Sequence, residues 1–541
     1  MTQPDTDFDV VVVGAGPVGL ALAIELGMRG VRALVAERNS RSGLAPRAKT
    51  TNTRTRAHLR RWGIADALAA ASPLGVDYPN DIHFITGLSG FPLAVFRNAF
   101  NAAPDRNEAY PEHAQWVPQY TLERVMLEHA RTLPSVTVRY DTTFVGAEQD
   151  DETVTVSLQG NSGQASNVTA RYLVGADGAR SAVRDLIGAT MQGTHGISRH
   201  SNVVFHAPGL AEAQVHGPGV MFLQIGAAGV SIVGPMDKGD IWYFGTGLRD
   251  GGPLSDEAVV EQIRLTTGVD LPYKILSADQ WTASELIADK YSQGRIILAG
   301  DACHLHPPFG GYGMNMGVGD AVDLGWKIAA ELQGWGGPAL VASYEAERRP
   351  VHRLVIDEAL ANHQMMLGSP WRDGLADDTP EGAALRGQVG AAIQVAKARE
   401  YHTLGTVLGL SYEGSPIIDS EASPPPPHDG QTYTPSARPG SLAPHGWLAD
   451  GRSLYDAFGS GFALVVSDQA DEAQVRKAVS EAQALGAPFE VVHPGPTITD
   501  RYQADLTLVR PDQHVAWRGN QWNGALRRAL ARQGETVSEG H

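Results

Sequence analysis

The sequence predicts an α/β protein, because three segments each combine a buried strand with a glycine turn and the start of a helix. They lie around residues 14–37, 170–184 and 295–327. In each segment a run of aliphatic residues is followed directly by glycine and then by an amphipathic stretch. A repeated order of this kind favours a parallel sheet of the Rossmann type, with helices on its faces.

The first segment has the spacing of a dinucleotide-binding turn. The strand at residues 8–13 is followed by Gly14, Gly16 and Gly19, and a helical pattern begins at once. Glu37 ends the next strand, and Arg38 follows it. An acid about 20 residues beyond the first glycine binds ribose hydroxyls and would repel a 2′-phosphate. The segment therefore predicts a site for an unphosphorylated adenosine dinucleotide such as FAD or NAD.

The other two segments suggest a diphosphate and a flat ring. Asp177 and Gly178 follow the strand at 170–176, and Gly300 and Asp301 follow the strand at 295–300. An acid at a strand end can accept from ribityl or ribose hydroxyls, and a helix from about Met314 offers its positive end to an anion. Glycines let backbone N–H groups approach the ligand closely. A flavin meets these requirements.

Composition limits the partners. The formal net charge of -17 over 541 residues argues against nucleic acid or an anionic membrane, so a small organic ligand is expected. Cys303 is the sole cysteine, which excludes an intrachain disulfide and a cysteine-ligated cluster. His304 and His306 have no third ligand in the pattern, so no metal is expected. Acids near the N-terminus and the lack of a long apolar run indicate the cytoplasm.

The rest of the chain reads as supporting structure. Strands at 136–140 and 154–158 are expected to form a hairpin, and Gln119 opens a helix at 119–130 from which its amide can reach a ligand. Residues 190–285 alternate like a sheet that covers the ligand. Because side chains alternate along a strand, Trp242 and Tyr243 point to opposite faces and only one lines the pocket.

Together these motifs resemble the single-component flavoprotein aromatic hydroxylases, the family of p-hydroxybenzoate hydroxylase and phenol hydroxylase. The match comprises the GxGxxG turn with its acid, the Asp177-Gly178 pair and the Gly300-Asp301 segment with its proline pair and glycines. It continues through the helix at 320–327 and residues 344–350, and it covers about residues 8–370. The sequence departs from the family pattern at Tyr312, where Gln is often found, and at Asp323, where Asn is usual.

The resemblance implies roles for individual residues. Glu37 holds the adenosine ribose, Asp301 binds the ribityl or diphosphate portion, and Asp177 helps to bind both FAD and the nicotinamide. The catalytic candidates are Pro307, Arg47 and Tyr243. The cofactor-binding candidates are Gly14, Gly16, Gly19, Glu37, Arg38, Arg47, Gln119, Asp177, Gly178, Gly300, Asp301, Pro308, Gly311, Gly313, Met314 and Asn315.

The resemblance also implies a domain plan. Residues 1–80, 111–189 and 286–370 form the FAD-binding domain of the glutathione reductase type, and residues 81–110 and 190–285 form the inserted substrate-binding sheet. A helical connection at 371–422 and a proline-rich linker at 423–440 follow. Residues 441–541 resemble the thioredoxin-like domain of the phenol hydroxylase branch, without a Cys-x-x-Cys pair.

The implied activity is FAD-dependent monooxygenation. NADPH or NADH reduces the flavin, O2 is captured as a C4a-hydroperoxide, and a phenolic ring is hydroxylated, ortho to an existing hydroxyl. One alternative is tailoring of a polycyclic aromatic compound by hydroxylation or Baeyer–Villiger insertion. Another is an inactive flavin-binding interaction protein, against which the intact motifs argue. The sequence leaves the oligomeric state open, with a homodimer as one candidate, and it does not identify the residue that deprotonates the substrate.

Overall fold

A computed structural model describes residues 4–40, 48–227, 229–248, 255–364 and 370–533. Arg47, a catalytic and cofactor-binding candidate, lies outside the described residues. None of the helices in the described ranges has the length and apolar character needed to cross a bilayer.

The chain forms strands in four larger sheets and one short pair. The strands, in chain order, are β1 (Val10–Val13), β2 (Ala33–Ala36), β3 (Thr50–Thr51), β4 (Ile82–Ile85), β5 (Pro92–Phe96), β6 (Gln115–Trp116), β7 (Val136–Arg139), β8 (Thr142–Gln149), β9 (Val154–Gly160), β10 (Ala165–Ala170), β11 (Tyr172–Gly175), β12 (Met191–His206), β13 (Met221–Gly226), β14 (Gly229–Asp237), β15 (Ile241–Gly247), β16 (Lys274–Ala288), β17 (Ser292–Gln293), β18 (Ile296–Leu298), β19 (His304–Leu305), β20 (Phe462–Val466), β21 (Phe489–Val492), β22 (Leu506–Val509) and β23 (Val515–Gly519).

The helices lie between the strands and near the C-terminus. In chain order they are α1 (Pro17–Gly27), α2 (Thr53–Arg61), α3 (Ala65–Ala71), α4 (Gln119–Ala130), α5 (Ala182–Leu186), α6 (Leu210–Ala213), α7 (Asp256–Thr267), α8 (Gly313–Leu332), α9 (Ser343–Gln364), α10 (Pro380–Tyr401), α11 (Leu404–Leu408), α12 (Glu472–Leu485), α13 (Pro496–Thr499) and α14 (Ala525–Ala529). Short 3-10 helices occupy Ala99–Asn101, Gly300–Ala302 and Leu454–Ala457.

The predicted parallel sheet is present. Its strand order is β17-β18-β11-β1-β2-β7, and every neighbouring pair is parallel except β17 with β18. The four valines of β1 are all buried, as expected for a strand covered on both faces. Because parallel strands end at the same edge, the ends of β1, β2, β11 and β18 meet there. The three glycine segments are thereby brought together.

The predicted hairpin of residues 136–140 with 154–158 is wrong in its pairing. Both strands form, but β7 pairs in parallel with β2, and β9 pairs with β8 and β10 in a separate antiparallel sheet. An alternating pattern identifies a strand but carries little information about its partner. The intervening strand β8, which follows β7 after only two residues, forms the hairpin with β9 instead.

The inserted sheet has eight strands in the order β19-β16-β12-β15-β14-β13-β4-β5. Trp242 packs in a core with Phe205 and Ile263 of α7, whereas Tyr243 packs with Trp116 on the other face. The opposite orientation predicted for Trp242 and Tyr243 is thus confirmed. Strand β19 follows β18 after five residues, so the third glycine segment joins the two sheets.

The C-terminal residues form a four-stranded sheet in the order β21-β20-β22-β23. Strands β20 and β21 are parallel and flank α12, while β22 and β23 form a hairpin around residues 511–512. Earlier in the chain, α10 lies against β5, where the Gln394 amide donates to the Val95 carbonyl at 2.9 Å. The helix therefore covers one edge of the eight-stranded sheet.

Candidate active site

The three glycines of the first glycine turn have different structural roles. Gly14 has a φ of +103°, and a Cβ there would lie 2.4 Å from the Ala176 carbonyl oxygen. A Cβ on Gly19 would lie 1.9 Å from the Gly14 carbonyl oxygen. Gly16, at the start of α1, faces no heavy atom within 4 Å. Two glycines thus allow chain segments to cross, while the third leaves open space before a helix N-terminus.

Glu37 fastens this turn to the end of β2. One carboxylate oxygen accepts from the Ala15 N–H at 2.9 Å, and the other accepts from the Asn39 N–H at 2.9 Å. Arg38 is exposed at the outer end of the strand. Each carboxylate oxygen has more than one lone pair, so Glu37 still has capacity to accept from ribose hydroxyls.

Asp177 lies beside the first turn, and its Cα would be 3.2 Å from a Cβ on Gly14. Oδ2 accepts from the Ala182 N–H at 2.8 Å and the Val183 N–H at 3.2 Å. Oδ1 is buried without a partner among the described residues. Gly178, with a φ of +80°, has open space where a Cβ would be. An unsatisfied buried carboxylate oxygen beside open space is a feature that a ligand would complete.

The Gly300 segment passes directly over α1 and α8. Gly300 has a φ of +63°, and a Cβ there would lie 2.8 Å from the Val18 side chain. Across the same contact, a Cβ on Gly317 would lie 3.2 Å from the Gly300 Cα. Asp301 is exposed in the following 3-10 turn. The close approach places Asp301 next to α1, the helix that follows the first glycine turn.

Asp320 holds this turn in place and was not identified as a functional residue from the sequence. Oδ2 accepts from the Gly300 N–H at 3.0 Å and lies 2.8 Å from His304 Nε2, while Oδ1 accepts from Arg348 Nε at 2.7 Å. Burial alone would raise the pKa of Asp320, but His352, Arg348 and His304 outweigh it and hold that pKa well below 3.8. The only sequence signal was an acid within a buried helical face.

This cluster also accounts for the one group of metal-ligand side chains found among the described residues. Ligand atoms of Cys303, His304 and Asp320 lie within 4.8 Å of one another. The Asp320 oxygens are engaged by Arg348, the histidines and a backbone N–H, and burial raises the pKa of the Cys303 thiol well above 9. Because the thiol is protonated and the acid is already neutralised by arginine, this cluster is a hydrogen-bonded support for the turn.

The glycine-rich loop is attached to the short strand β3 through Asn315. Its Nδ2 donates to the Thr50 carbonyl at 2.9 Å and the Gly311 carbonyl at 2.8 Å, and its Oδ1 accepts from the Asn52 N–H at 3.0 Å. The Gln119 N–H donates to the Ala48 carbonyl at 3.0 Å. These bonds bring Gln119, β3 and the loop into one region.

The remaining catalytic candidates in the described residues are Pro307, which follows the strand that joins the two sheets, and Tyr243 in β15 of the eight-stranded sheet. Pro307 is buried directly after β19, and both ring nitrogens of the neighbouring His306 are buried without a partner among the described residues. The Tyr243 hydroxyl donates to the Val220 carbonyl at 3.0 Å, and burial raises its pKa well above 10. Tyr243 therefore presents a neutral ring face, rather than a free hydroxyl, towards Lys49.

Contacts and strand ends bring Gly14, Gly16, Gly19, Glu37, Asp177, Gly178, Gly300 and Asp301 to one edge of the parallel sheet. Gly311 and Asn315 are joined to the segment before Gln119, whose side-chain amide donates to Glu123 Oε1 at 2.7 Å within its own helix. The open space at Gly16, the unpaired Asp177 oxygen, the unpaired His306 nitrogens and the N-termini of α1 and α8 fit a dinucleotide with a flat polar ring. These residues fit FAD.

The two departures from the family pattern have structural reasons. Tyr312 is buried among apolar residues that include Val407 and Tyr412, so it faces the chain beyond residue 400. Asp323 Oδ2 accepts from Lys327 at 2.8 Å and Oδ1 accepts from Arg510 at 2.9 Å. Both side chains therefore serve the attachment of the C-terminal residues to α8.

Comparison with known proteins agrees with this geometry. A sequence model of the family described as "FAD binding domain" matches residues 7–359, and one described as "Aromatic-ring hydroxylase, C-terminal" matches residues 436–534. The chain is 31% identical to 2,4-dichlorophenol 6-monooxygenase of Delftia acidovorans, over 97% of each chain. It is 32% identical to aklavinone 12-hydroxylase DnrF of Streptomyces peucetius, over 87% of this chain and 93% of the relative.

A solved structure is also similar throughout. The rebeccamycin biosynthetic enzyme RebC with reduced flavin superposes with a TM-score of 0.89 at 32% identity, and the match covers 97% of this chain and 99% of RebC.

Proposed function

This chain belongs to the family of single-component FAD-dependent aromatic hydroxylases, and on that premise we propose that it hydroxylates a phenolic ring, ortho to an existing hydroxyl. The reductant is NADPH or NADH, and O2 is the second co-substrate. The observation that carries the proposal is the meeting of Gly16, Glu37, Asp177 and Asp301 at one sheet edge, directly beside a second sheet that can cover an aromatic ring.

Each group at this edge has a binding task. Glu37 accepts from the adenosine ribose, and Asp301 accepts from the ribityl hydroxyls. The N–H groups that open α1 and α8 receive the diphosphate and the polar edge of the ring. FAD, once reduced, supplies the electrons that activate O2 and allow one oxygen atom to be transferred.

The covering sheet keeps water away from the reacting atoms. Trp116 and Tyr243 lie with their ring centroids 6.3 Å apart, and both are buried. Trp116 also lines a small cleft together with Tyr78, His113 and Val220. Exclusion of water strengthens electrostatic interactions and suppresses the release of oxidant into solvent.

A second candidate function is the tailoring of a polycyclic aromatic compound by hydroxylation or Baeyer–Villiger insertion. Similarity to aklavinone 12-hydroxylase and to the rebeccamycin enzyme RebC favours it, because both match along nearly the same length as the dichlorophenol relative. The two functions share the cofactor site and differ in the size of the space above it.

Product analysis separates them. The purified protein is incubated with FAD, both nicotinamides and O2, and with a panel from simple phenols to polycyclic hydroxyquinones, while peroxide is counted. A product heavier by one oxygen from a small phenol supports the first function. Oxygenation confined to polycycles supports the second, and peroxide without any oxygenated product contradicts both.

We extend the proposal to the architecture and setting. The domains have the boundaries predicted from the sequence. Residues 441–541 form a thioredoxin-like domain without redox function, and the strand order β21-β20-β22-β23 supports this proposal. The enzyme works in the cytoplasm as a homodimer.

A further inference from the structure

Lys49 occupies the boundary between the cofactor cleft and the covering sheet. Its carbonyl accepts from the Val117 N–H at 2.8 Å, which fixes its backbone just before β3. The next residue, Thr50, accepts from Asn315 at 2.9 Å. Lys49 is therefore one residue away from the attachment of the glycine-rich loop.

The Lys49 side chain reaches the opposite wall. Nζ lies 4.2 Å from the centroid of the Tyr243 ring in β15, and the Trp116 ring stands beside that of Tyr243. The side chain thus extends from the segment before β3 to the covering sheet. Its ammonium lies over the Tyr243 ring, which attracts a cation only modestly.

No anionic group among the described residues pairs with the Lys49 ammonium. Among the described residues no carboxylate or carbonyl lies within hydrogen-bonding distance of Nζ, and burial is the one cause that lowers the pKa of Lys49, to about 8. Tyr243 cannot become the anion, because its hydroxyl is bound to Val220 and burial raises its pKa well above 10.

Lys49 is half-buried, and two buried lysines behave differently. Lys327 is paired with Asp323 at 2.8 Å and with Glu347 at 2.6 Å. Lys397 is paired with Glu400 at 2.6 Å. Since burial of an ammonium without a partner is costly, an acid is paired with each of these two lysines. Among the described residues, Lys49 has no such acid within ion-pair distance.

We propose that Lys49 binds the ionised oxygen of the aromatic substrate, so that a phenolate rather than a phenol is held beside the cofactor. The inference rests on the proposed function and supplies the group that the sequence did not identify. The phenolic proton leaves to solvent, Lys49 keeps its own protons, and the oxygen gains the negative charge that activates the ring carbon next to it. A free phenol has a pKa of about 10, and an opposite charge within hydrogen-bonding range lowers such a pKa by about 1–3 units.

Two dyes whose absorption changes on ionisation test the proposal without turnover. They are 4-nitrophenol, which is small, and 2-hydroxyanthraquinone, which is polycyclic. Each is titrated with pH in the presence of the FAD-loaded wild-type protein, Lys49→Met, Lys49→Arg and Lys238→Met. Lys238 is exposed at the turn between β14 and β15, so its variant removes an equal charge from the surface of the covering sheet.

The proposal expects at least one dye to ionise about 1–3 pH units lower when bound to the wild-type protein or Lys238→Met than when bound to Lys49→Met. Lys49→Arg keeps the charge and should retain most of the shift. If neither dye shows ionisation that depends on Lys49, whether it binds neutral or does not bind, the proposal is overturned.

Failure of this inference is distinguishable from failure of the proposed function. Wild-type protein that oxygenates an aromatic compound while showing no lysine-dependent ionisation would overturn only the role of Lys49. Lysine-dependent ionisation without oxygenation of any compound would support the anion site and contradict the hydroxylase function.

Discussion

Replacement of Arg510 by Met should detach the C-terminal sheet from the helix that carries the cofactor loop. Arg510 is fully buried and donates to Glu347 at 2.6 and 2.9 Å, to Asp512 at 2.6 and 3.1 Å, and to Asp323 at 2.9 Å. Because Asp323 lies in α8 and Glu347 lies in α9, a single guanidinium joins the β22–β23 turn to both helices.

The magnitude follows from the charges that remain. The variant would leave the buried Asp323 and Glu347 with Lys327 and the buried Asp512 with His514, and removal of one partner from a buried ion pair costs about 3–5 kcal/mol. Burial, opposed by Lys327 and reinforced by Glu347, raises the pKa of Asp323 to about 7, so Asp323 can take up a proton and reduce the cost. We therefore expect about 3 kcal/mol, which is a change of roughly a hundredfold in the docking equilibrium.

Urea unfolding of the FAD-loaded protein, followed by tryptophan fluorescence, measures this loss. Arg452→Met is the matched control, because Arg452 pairs with Asp450 at the surface, where both side chains are more than half exposed, and should cost less than about 1 kcal/mol. Arg510→Lys keeps one charge and should fall between the two. A cost for Arg510→Met no larger than that of the control would refute the reasoning.

Three further outcomes are expected. Asp301→Ala should purify without FAD, whereas Asp468→Ala, at an exposed position in the C-terminal part, should keep full flavin absorbance. Gly16→Ala should fold with a stability within about 1 kcal/mol of wild type, since its Cβ meets no atom. It should nevertheless bind FAD at least tenfold more weakly in a calorimetric titration. An affinity equal to that of the wild type would contradict the placement of the diphosphate at this turn. Burial lowers the pKa of His352 to about 3, so between pH 6.5 and 3 the unfolded chain binds a proton that the folded chain does not, and stability falls as the pH drops below 6.5. On lowering the pH from 7.5 to 5.5, His352→Gln should lose about 1.4 kcal/mol less than wild type in urea unfolding, and parallel losses would contradict the assignment.

The cofactor edge was predictable because its signals are local. The strands before Gly14, Asp177 and Gly300 are short apolar runs, and glycine spacing fixes the turns that follow. Since strand ends in a parallel sheet meet at one edge, finding three such segments was sufficient to predict that they come together. The alternation at 242–243 was likewise enough to separate the two faces of the covering sheet.

The interactions that cross between segments could not be read in this way. Asp320 meets Arg348 and His352 from α9, and Asp323 meets Arg510 from 187 residues further along the chain. A sequence pattern marks both acids only as residues on a buried helix. The departure from the usual Asn at Asp323 was visible, but its reason was not, because the partner cation lies in a different sheet.

Lys49 was overlooked for a similar reason. Its importance depends on the ring of Tyr243, 194 residues away in sequence, and on the absence of an acid near Nζ among the described residues. Two lysines of the covering sheet, Lys238 and Lys274, are exposed. The relevant lysine instead comes from the cofactor side of the cleft.

The central claim is that this cleft uses FAD and O2 to place one oxygen atom on an aromatic ring. The most direct measurement is product mass spectrometry after turnover with isotopically labelled O2 in ordinary water, using NADPH or NADH and the substrate panel. The account predicts one labelled oxygen atom in each product molecule for each nicotinamide oxidised by a coupled turnover. Product without label, with its new oxygen derived from water, would contradict it, as would peroxide formed with every aromatic compound left unchanged.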